Sequence, residues 1–163
     1  MPDHTPRAAD RAEQAVEQYG PMVYRLAYAH THSRADADDV FQEVFLRYVK
    51  KHPVFAGAEH EKAWLIRVTL HRCRDWMTAG YRKHTQPLEE QAVWDAPEDS
   101  QLSGALERLP PAYRTVLHLF YYEDLPTVAI ARLLHRNEST VRVQLSRARG
   151  LLRELLEGED LDV

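Results

Sequence analysis

The chain has 163 residues, 44% of them hydrophobic, and a formal net charge of −4. That is room for one ordinary domain or two small helical ones, with too much apolar content for a disordered chain. The mild acidity speaks against a general nucleic-acid coat. No apolar run reaches the length of a membrane span, and the single cysteine, Cys73, rules out an internal disulfide and fits a reducing cytoplasm.

Apolar positions recur at three and four rather than alternating, so the chain reads as all-α: two small helical domains joined by an acidic linker. The opening MPDHTPRAADRAEQ has no apolar stretch after its charges, and no secretory signal is expected there. The first helix is predicted from about Ala8 to Ala29, with Val23, Leu26, Ala27 and His30 on its period. Gly20-Pro21 inside it predicts a kink or break. The second runs from about Ala35 to Lys50, where Val40, Phe41, Val44, Phe45 and Tyr48 make a broad apolar face. His52-Pro53 ends it, because the residue before a proline disfavours the helical region. After a loop with Gly57, a long helix is predicted from His60 to Tyr81, with Trp64, Leu65, Val68, Cys73 and Trp76 on its core side.

Thr85 to Ser100 holds Pro87, Pro97 and many acids, and reads as a linker. Extended, such a segment reaches roughly 55 Å, enough for two domains to occupy separate places on a large partner. Four further helices are predicted over 101–108, 111–122, 126–134 and 138–156. Pro111 and Pro126 suit first-turn positions. The last pair, a short helix, a brief turn and a long basic helix, has the helix-turn-helix layout. The predicted domains are therefore 1–84 and 101–163, with 85–100 between them.

Charge is segregated along the chain. From Trp64 to His84, Arg67, Arg72, Arg74, Arg82 and Lys83 meet only Asp75. From Ser139 to Arg153, Arg142, Arg147, Arg149 and Arg153 meet no acid. Between them, Gln86 to Glu107 carries Glu89, Glu90, Asp95, Glu98, Asp99 and Glu107 with no base. Either basic run alone is better read as a solvated helix face; two of them, each followed by an acidic segment, suggest two DNA-facing surfaces. In the final helix, Val141, Leu145, Ala148 and Leu152 are spaced as one buried stripe, with Arg142, Gln144, Ser146, Arg147 and Arg149 off it. Arginine pairs bidentately with guanine or phosphate, and glutamine with adenine. Asn137 is placed to cap this helix, whose start offers free N–H groups to a phosphate.

The string LPPAYRTVLHLFYYEDLPTVAIARLLHRNESTVRVQLSRARGLLREL resembles the promoter-binding C-terminal domain of bacterial sigma factors. YGPMVYRLAYAHTHSRADADDVFQEVFLRYVK resembles the polymerase-binding segment of the same family, and AWLIRVTLHRCRDW the segment that meets the upstream end of the melted promoter. The short length and the lack of other sigma regions point to the extracytoplasmic-function (ECF) group. The resemblance implies that the N-terminal domain binds core RNA polymerase and the −10 element, and the C-terminal domain the −35 element. Within DDVFQEVF it assigns Asp39, Gln42 and Glu43 to the beta-prime clamp helices of the polymerase, with the beta subunit as a further contact. Trp64 and Leu65 fall on packed positions of the family and Arg67 on a basic one near the promoter. His71 stands where the family usually has asparagine, and Arg72, Arg74, Arg82 and Lys83 are the accompanying phosphate contacts.

At the −35 element the same resemblance assigns Thr140, Arg142, Ser146, Arg147 and Arg149, with Gln144 replacing a commonly basic residue. His135 occupies a turn position where the family often has glycine, and Ala129 replaces a common glutamate. It also implies an anti-sigma protein as an inhibitory partner, no insertion of this chain into a membrane, and a cytoplasmic site of action. The nine histidines are scattered, no Cys/His group has zinc-ligand spacing, and no metal or cofactor is expected. Without a phosphate-binding glycine loop, a nucleophile elbow or paired catalytic carboxylates, the chain is not expected to be an enzyme itself. A stand-alone dimeric helix-turn-helix regulator accounts for the C-terminal domain. It leaves DDVFQEVF and AWLIRVTLHRCRDW without a role.

Overall fold

A computed structural model describes residues 8–78 and 101–161. The chain divides into two units between Ala96 and Pro97. All described regular structure is helical, as the apolar spacing requires. The expected linker at Thr85–Ser100, and the last turn of the expected third helix at 79–81, lie outside the described residues.

The first unit packs α1 (Ala8–Thr31), α2 (Arg34–Lys51) and α3 (Ala58–Thr78) against one another in all three pairings. The heptad-like positions Val23, Leu26 and Ala27 are fully buried in α1, with Val40 and Val44 from α2 and Leu65 and Ile66 from α3. Trp64, Val68 and Trp76, expected in this core, are only half-buried, and Ile66 and Thr69 take the inner places. The break expected at Gly20-Pro21 does not occur, and α1 continues through Pro21. Proline removes one backbone bond, but Tyr19, Met22, Val23 and Tyr24 are buried around it, and their burial outweighs that loss.

Sequence-local signals set the corners. Ser33 caps α2 by accepting the Asp36 N–H at 3.2 Å. α2 ends at His52, as its place before Pro53 predicts, but His52 takes the left-handed region, φ 47 and ψ 53, rather than the extended backbone a pre-proline residue favours, and its N–H reaches the Tyr48 carbonyl at 3.2 Å. The following loop is pinned by Arg11 donating to the Pro53 carbonyl at 3.0 Å and Tyr19 to that of Ala58 at 3.3 Å. Beneath it, the rings of Tyr48, Phe55 and Trp64 meet at centroid distances of 5.8 to 6.0 Å. The Tyr48 hydroxyl donates to Glu61 Oε2 at 2.6 Å, joining α2 to α3.

The second unit holds α4 (Gln101–Arg108), α5 (Pro111–Leu117), α6 (Thr127–Leu134) and α7 (Glu138–Leu161). α7 packs on the other three. The single helix expected over 111–122 changes character at His118, where a π-helical segment runs to Tyr122. Its wider turn brings buried Glu123 beside buried His118, Oε2 to Nε2 at 3.0 Å. The corner between α6 and α7 has both bonds of a Schellman turn: Arg136 N–H to the Ala131 carbonyl at 2.9 Å, and His135 N–H to that of Arg132 at 3.4 Å. His135 is the left-handed residue, φ 56 and ψ 47.

Two stability predictions follow from these corners. Because a side chain in the left-handed region costs about 1 kcal/mol, His135→Gly raises the urea midpoint of the second unit, whereas His135→Val lowers it. Tyr24 and Tyr48 are buried, and burial pushes both phenols from 10.0 up to about 12, Asp38 adding to the first and the Glu61 hydrogen bond to the second. The unfolded phenols lose their protons first, so stability present below pH 10.0 is lost as pH rises toward about 12. Urea unfolding across this range shows the loss, and Tyr24→Phe/Tyr48→Phe flattens it. At neutral pH, Tyr48→Phe costs about 1 kcal/mol. Tyr24→Phe costs nothing, because the Tyr24 hydroxyl is buried with no partner among the described residues.

Candidate nucleic-acid and protein interfaces

The orientation of α7 is set by its apolar stripe. Val141, Leu145 and Ala148 are 0%, 2% and 0% exposed, so the opposite side must face solvent. That side carries two rows. Thr140, Gln144 and Arg147 form one, and Arg142, Ser146 and Arg149 the other, each at the i, i+4, i+7 spacing that aligns side chains along a helix. Val143 lies between them and is 46% exposed. Val143 stands outside the sequence-based set because an apolar residue invites assignment to the core. Its position two places from Val141 was the available signal, and a branched apolar side chain there suits a thymine methyl.

Three of the six residues expected to meet the −35 element are tied to partners within the unit. Arg142 Nη2 donates to Glu138 Oε1 at 2.6 Å. The same carboxylate oxygen accepts from Thr127 Oγ1 at 3.0 Å, so Glu138 clips the first turn of α6 to the first turn of α7. The Thr127 hydrogen bond and then Arg142 hold the Glu138 carboxyl below its ordinary pKa. Arg149 Nε donates to the Tyr121 hydroxyl at 2.6 Å, and its guanidinium rests 5.5 Å from the ring centres of Phe120 and Tyr121. Gln144 accepts at 2.9 Å from Arg136, a turn residue absent from the sequence-based set. Thr140, Ser146 and Arg147 are exposed. The backbone at Asn137 is that of an N-cap, its carbonyl taking the Val141 N–H at 3.1 Å.

In the first unit, Asp39, Gln42 and Glu43 are all exposed on one face of α2. Leu46 continues that face at 55% exposure and was missed for the same reason as Val143. Partial desolvation by its neighbours, and then the charge of Asp36, raise the solvent-facing Asp39 carboxyl above its usual range. On α3, Arg67, His71 and Arg74 align in one row, with His71 and Arg74 exposed and Arg67 half-buried. Arg67 Nε is buried and has no partner among the described residues. Arg72 leaves this row and turns to α2, where its Nε lies 3.7 Å from Glu43 Oε2. Residues expected on two separate interfaces thus touch. Arg82 and Lys83 lie outside the described residues.

A short helix turned through a Schellman corner into a long helix with a basic outer face is the geometry of a helix-turn-helix DNA-binding unit. The comparisons define it further. Residues 15–83 match the family described as Sigma-70 region 2, and residues 100–152 that described as Sigma-70, region 4. The chain is 31% identical over 156 residues to the RNA polymerase sigma-E factor of Streptomyces avermitilis, covering 92% of this chain and 87% of that one. It is 28% identical over 167 residues to the ECF RNA polymerase sigma factor SigW of Bacillus subtilis, covering 90% and 89%. Its fold is similar to that of the sigma factor RpoE solved in complex with the anti-sigma factor NepR from Bartonella quintana. There the TM-score is 0.71 at 19% identity, over 89% of this chain and 96% of that one. The chain belongs to the RNA polymerase sigma factors, in their extracytoplasmic-function group. No described helix is long and apolar enough to cross a membrane.

If the stripe is what aims α7, removing its centre should be costly. Leu145→Ala is expected to destabilise the second unit by about 2–5 kcal/mol, read as a lower urea midpoint. A change under 0.5 kcal/mol, about the scatter of surface substitutions, would show that α7 is held by something else.

Proposed function

We propose that this chain joins core RNA polymerase, carries it to promoters with paired −35 and −10 elements, and promotes their melting. The observation that carries this is the order of the two family segments, a region 2 match followed by a region 4 match, on one chain. Residues 1–84 are the polymerase-binding and −10 domain, 101–163 the −35 domain, and 85–100 the connection between them.

On α2, Asp39, Gln42 and Glu43 offer carboxylates and an amide to a basic helical surface of the beta-prime subunit, with exposed Leu46 adding apolar contact. On α3, Arg67, His71, Arg72 and Arg74, together with Arg82 and Lys83 beyond it, hold the single strand of the −10 element. Drawing a base from the stack costs unstacking energy, which phosphate neutralisation and stacking on His71 offset. On α7, Thr140, Arg142, Gln144, Ser146, Arg147 and Arg149 face the major groove of the −35 element. Arg142 reaches phosphate by exchanging Glu138 for it, a cheap exchange because the pair is exposed. The chain supplies recognition and strand capture, and the polymerase supplies the chemistry. It acts in the cytoplasm, and an anti-sigma protein that covers these faces keeps it inactive.

The test is purified chain mixed with core RNA polymerase, followed by binding and by transcription from a promoter library. A stable complex and specific transcripts are expected, with Asp39→Ala/Gln42→Ala weakening core binding about tenfold or more. No binding to core, together with tight footprinting of duplex DNA by the chain alone, would replace this reading with that of a dimeric regulator.

A further inference from the structure

The one polar side-chain contact between the turn and the outer rows of α7 joins Arg136 to Gln144 among the described residues, Nη1 to Oε1 at 2.9 Å. Arg136 is fixed by the Schellman corner, its own N–H bound to the Ala131 carbonyl at 2.9 Å. Gln144 stands on the row of Thr140 and Arg147, and both partners are partly exposed. A guanidinium has donors and no acceptor. The amide must therefore turn its oxygen to Arg136, which leaves its nitrogen on the other side of Cδ.

This orientation has a consequence for base reading. A glutamine pairs with adenine by using both ends, its oxygen accepting from N6 and its nitrogen donating to N7. Oε1 keeps a second lone pair, but the Arg136 guanidinium already beside it repels the partial positive charge of an adenine amino group. What the pair shows to DNA is donors: the amide hydrogens of Gln144 and the remaining hydrogens of Arg136. Guanine presents two acceptors, O6 and N7, on its major-groove edge.

We propose that Arg136 and Gln144 act as one donor-presenting unit that reads a guanine in the −35 element, with Arg136 setting specificity by fixing which end of Gln144 faces the base. The inference rests on the promoter-binding reading of α7. It assigns to a turn residue, outside the recognition helix, the choice between guanine and adenine at one base pair.

The experiment reconstitutes holoenzyme from core polymerase and the full chain, and selects promoters from a library randomised across the −35 region. Wild type, Arg136→Met and Gln144→Ala are compared. Wild type is expected to favour guanine over adenine at one position by about tenfold. Arg136→Met frees Oε1 and admits adenine at that position, Gln144→Ala abolishes the preference at the same position, and other positions keep theirs. The inference is overturned if the two variants alter different positions, if neither alters any, or if Arg136→Met lowers use of all sequences alike, as loss of a phosphate contact would. A wild-type −35 element that ignores both variants leaves the promoter reading standing and sinks only the pair. Failure of wild type to enrich any −35 element sinks both.

Discussion

The burial of Val141, Leu145 and Ala148 is the constraint on which the second unit depends. Those three side chains are small or medium, and each is essentially out of water, so α7 cannot rotate without exposing them. Rotation by one residue would move the stripe by about a quarter turn and carry Arg142 or Thr140 inward. The free energy that orients the basic face is therefore apolar and comes from the buried side of the helix. α4, α5 and α6 are short helices whose part is to supply the surface against which this stripe is buried.

The same logic governs the first unit, with aromatic rings and buried polar groups added. Tyr48 reaches from α2 to Glu61 on α3, and its ring shares a cluster with Phe55 and Trp64. The loop between α2 and α3 is thereby held at both ends and from beneath, while Val54 at its crest is 83% exposed. A loop held in this way is preorganised, so little conformational entropy is lost when a partner is ordered on it.

Much of this was legible in the sequence, because helices with one buried face write their period into the chain. The α7 stripe, the ends of α2 and α6, and the exposure of Asp39, Gln42 and Glu43 all follow from spacing and from proline. Three kinds of feature were not legible. The π-helical segment at His118–Tyr122 depends on a buried partner, Glu123, whose burial no local pattern announces. Continuity through Gly20-Pro21 depends on packing from other helices, which overrides a local preference. Val143 and Leu46 are apolar residues on outer faces, and composition alone assigns such residues to the core. The family resemblance assigned residues to interfaces. Only coordinates reveal that Arg136, Glu138 and Tyr121 hold members of the −35 set.

Those internal partners bear on why a chain with two basic faces carries a net charge of −4. In each unit an arginine proposed to meet DNA is already answered by a carboxylate, Arg72 by Glu43 and Arg142 by Glu138. The pairs are partly exposed, so each contributes little to stability, and phosphate can displace the carboxylate at small cost. Yet the carboxylate remains nearby after displacement and reduces the attraction to DNA of any sequence. Counterion release drives non-specific binding in proportion to the phosphates neutralised. Acids beside the arginines therefore suppress that term more than they suppress base-edge contacts, which depend on geometry. At Glu43 the effect is also directional. This carboxylate lies on the face assigned to core polymerase, and a basic partner that engages it there leaves Arg72 without its acid. Under the proposed function, core binding and strand capture are coupled through this one partly exposed ion pair, worth at most about 1 kcal/mol. That is enough to bias an equilibrium severalfold, and too little to lock it.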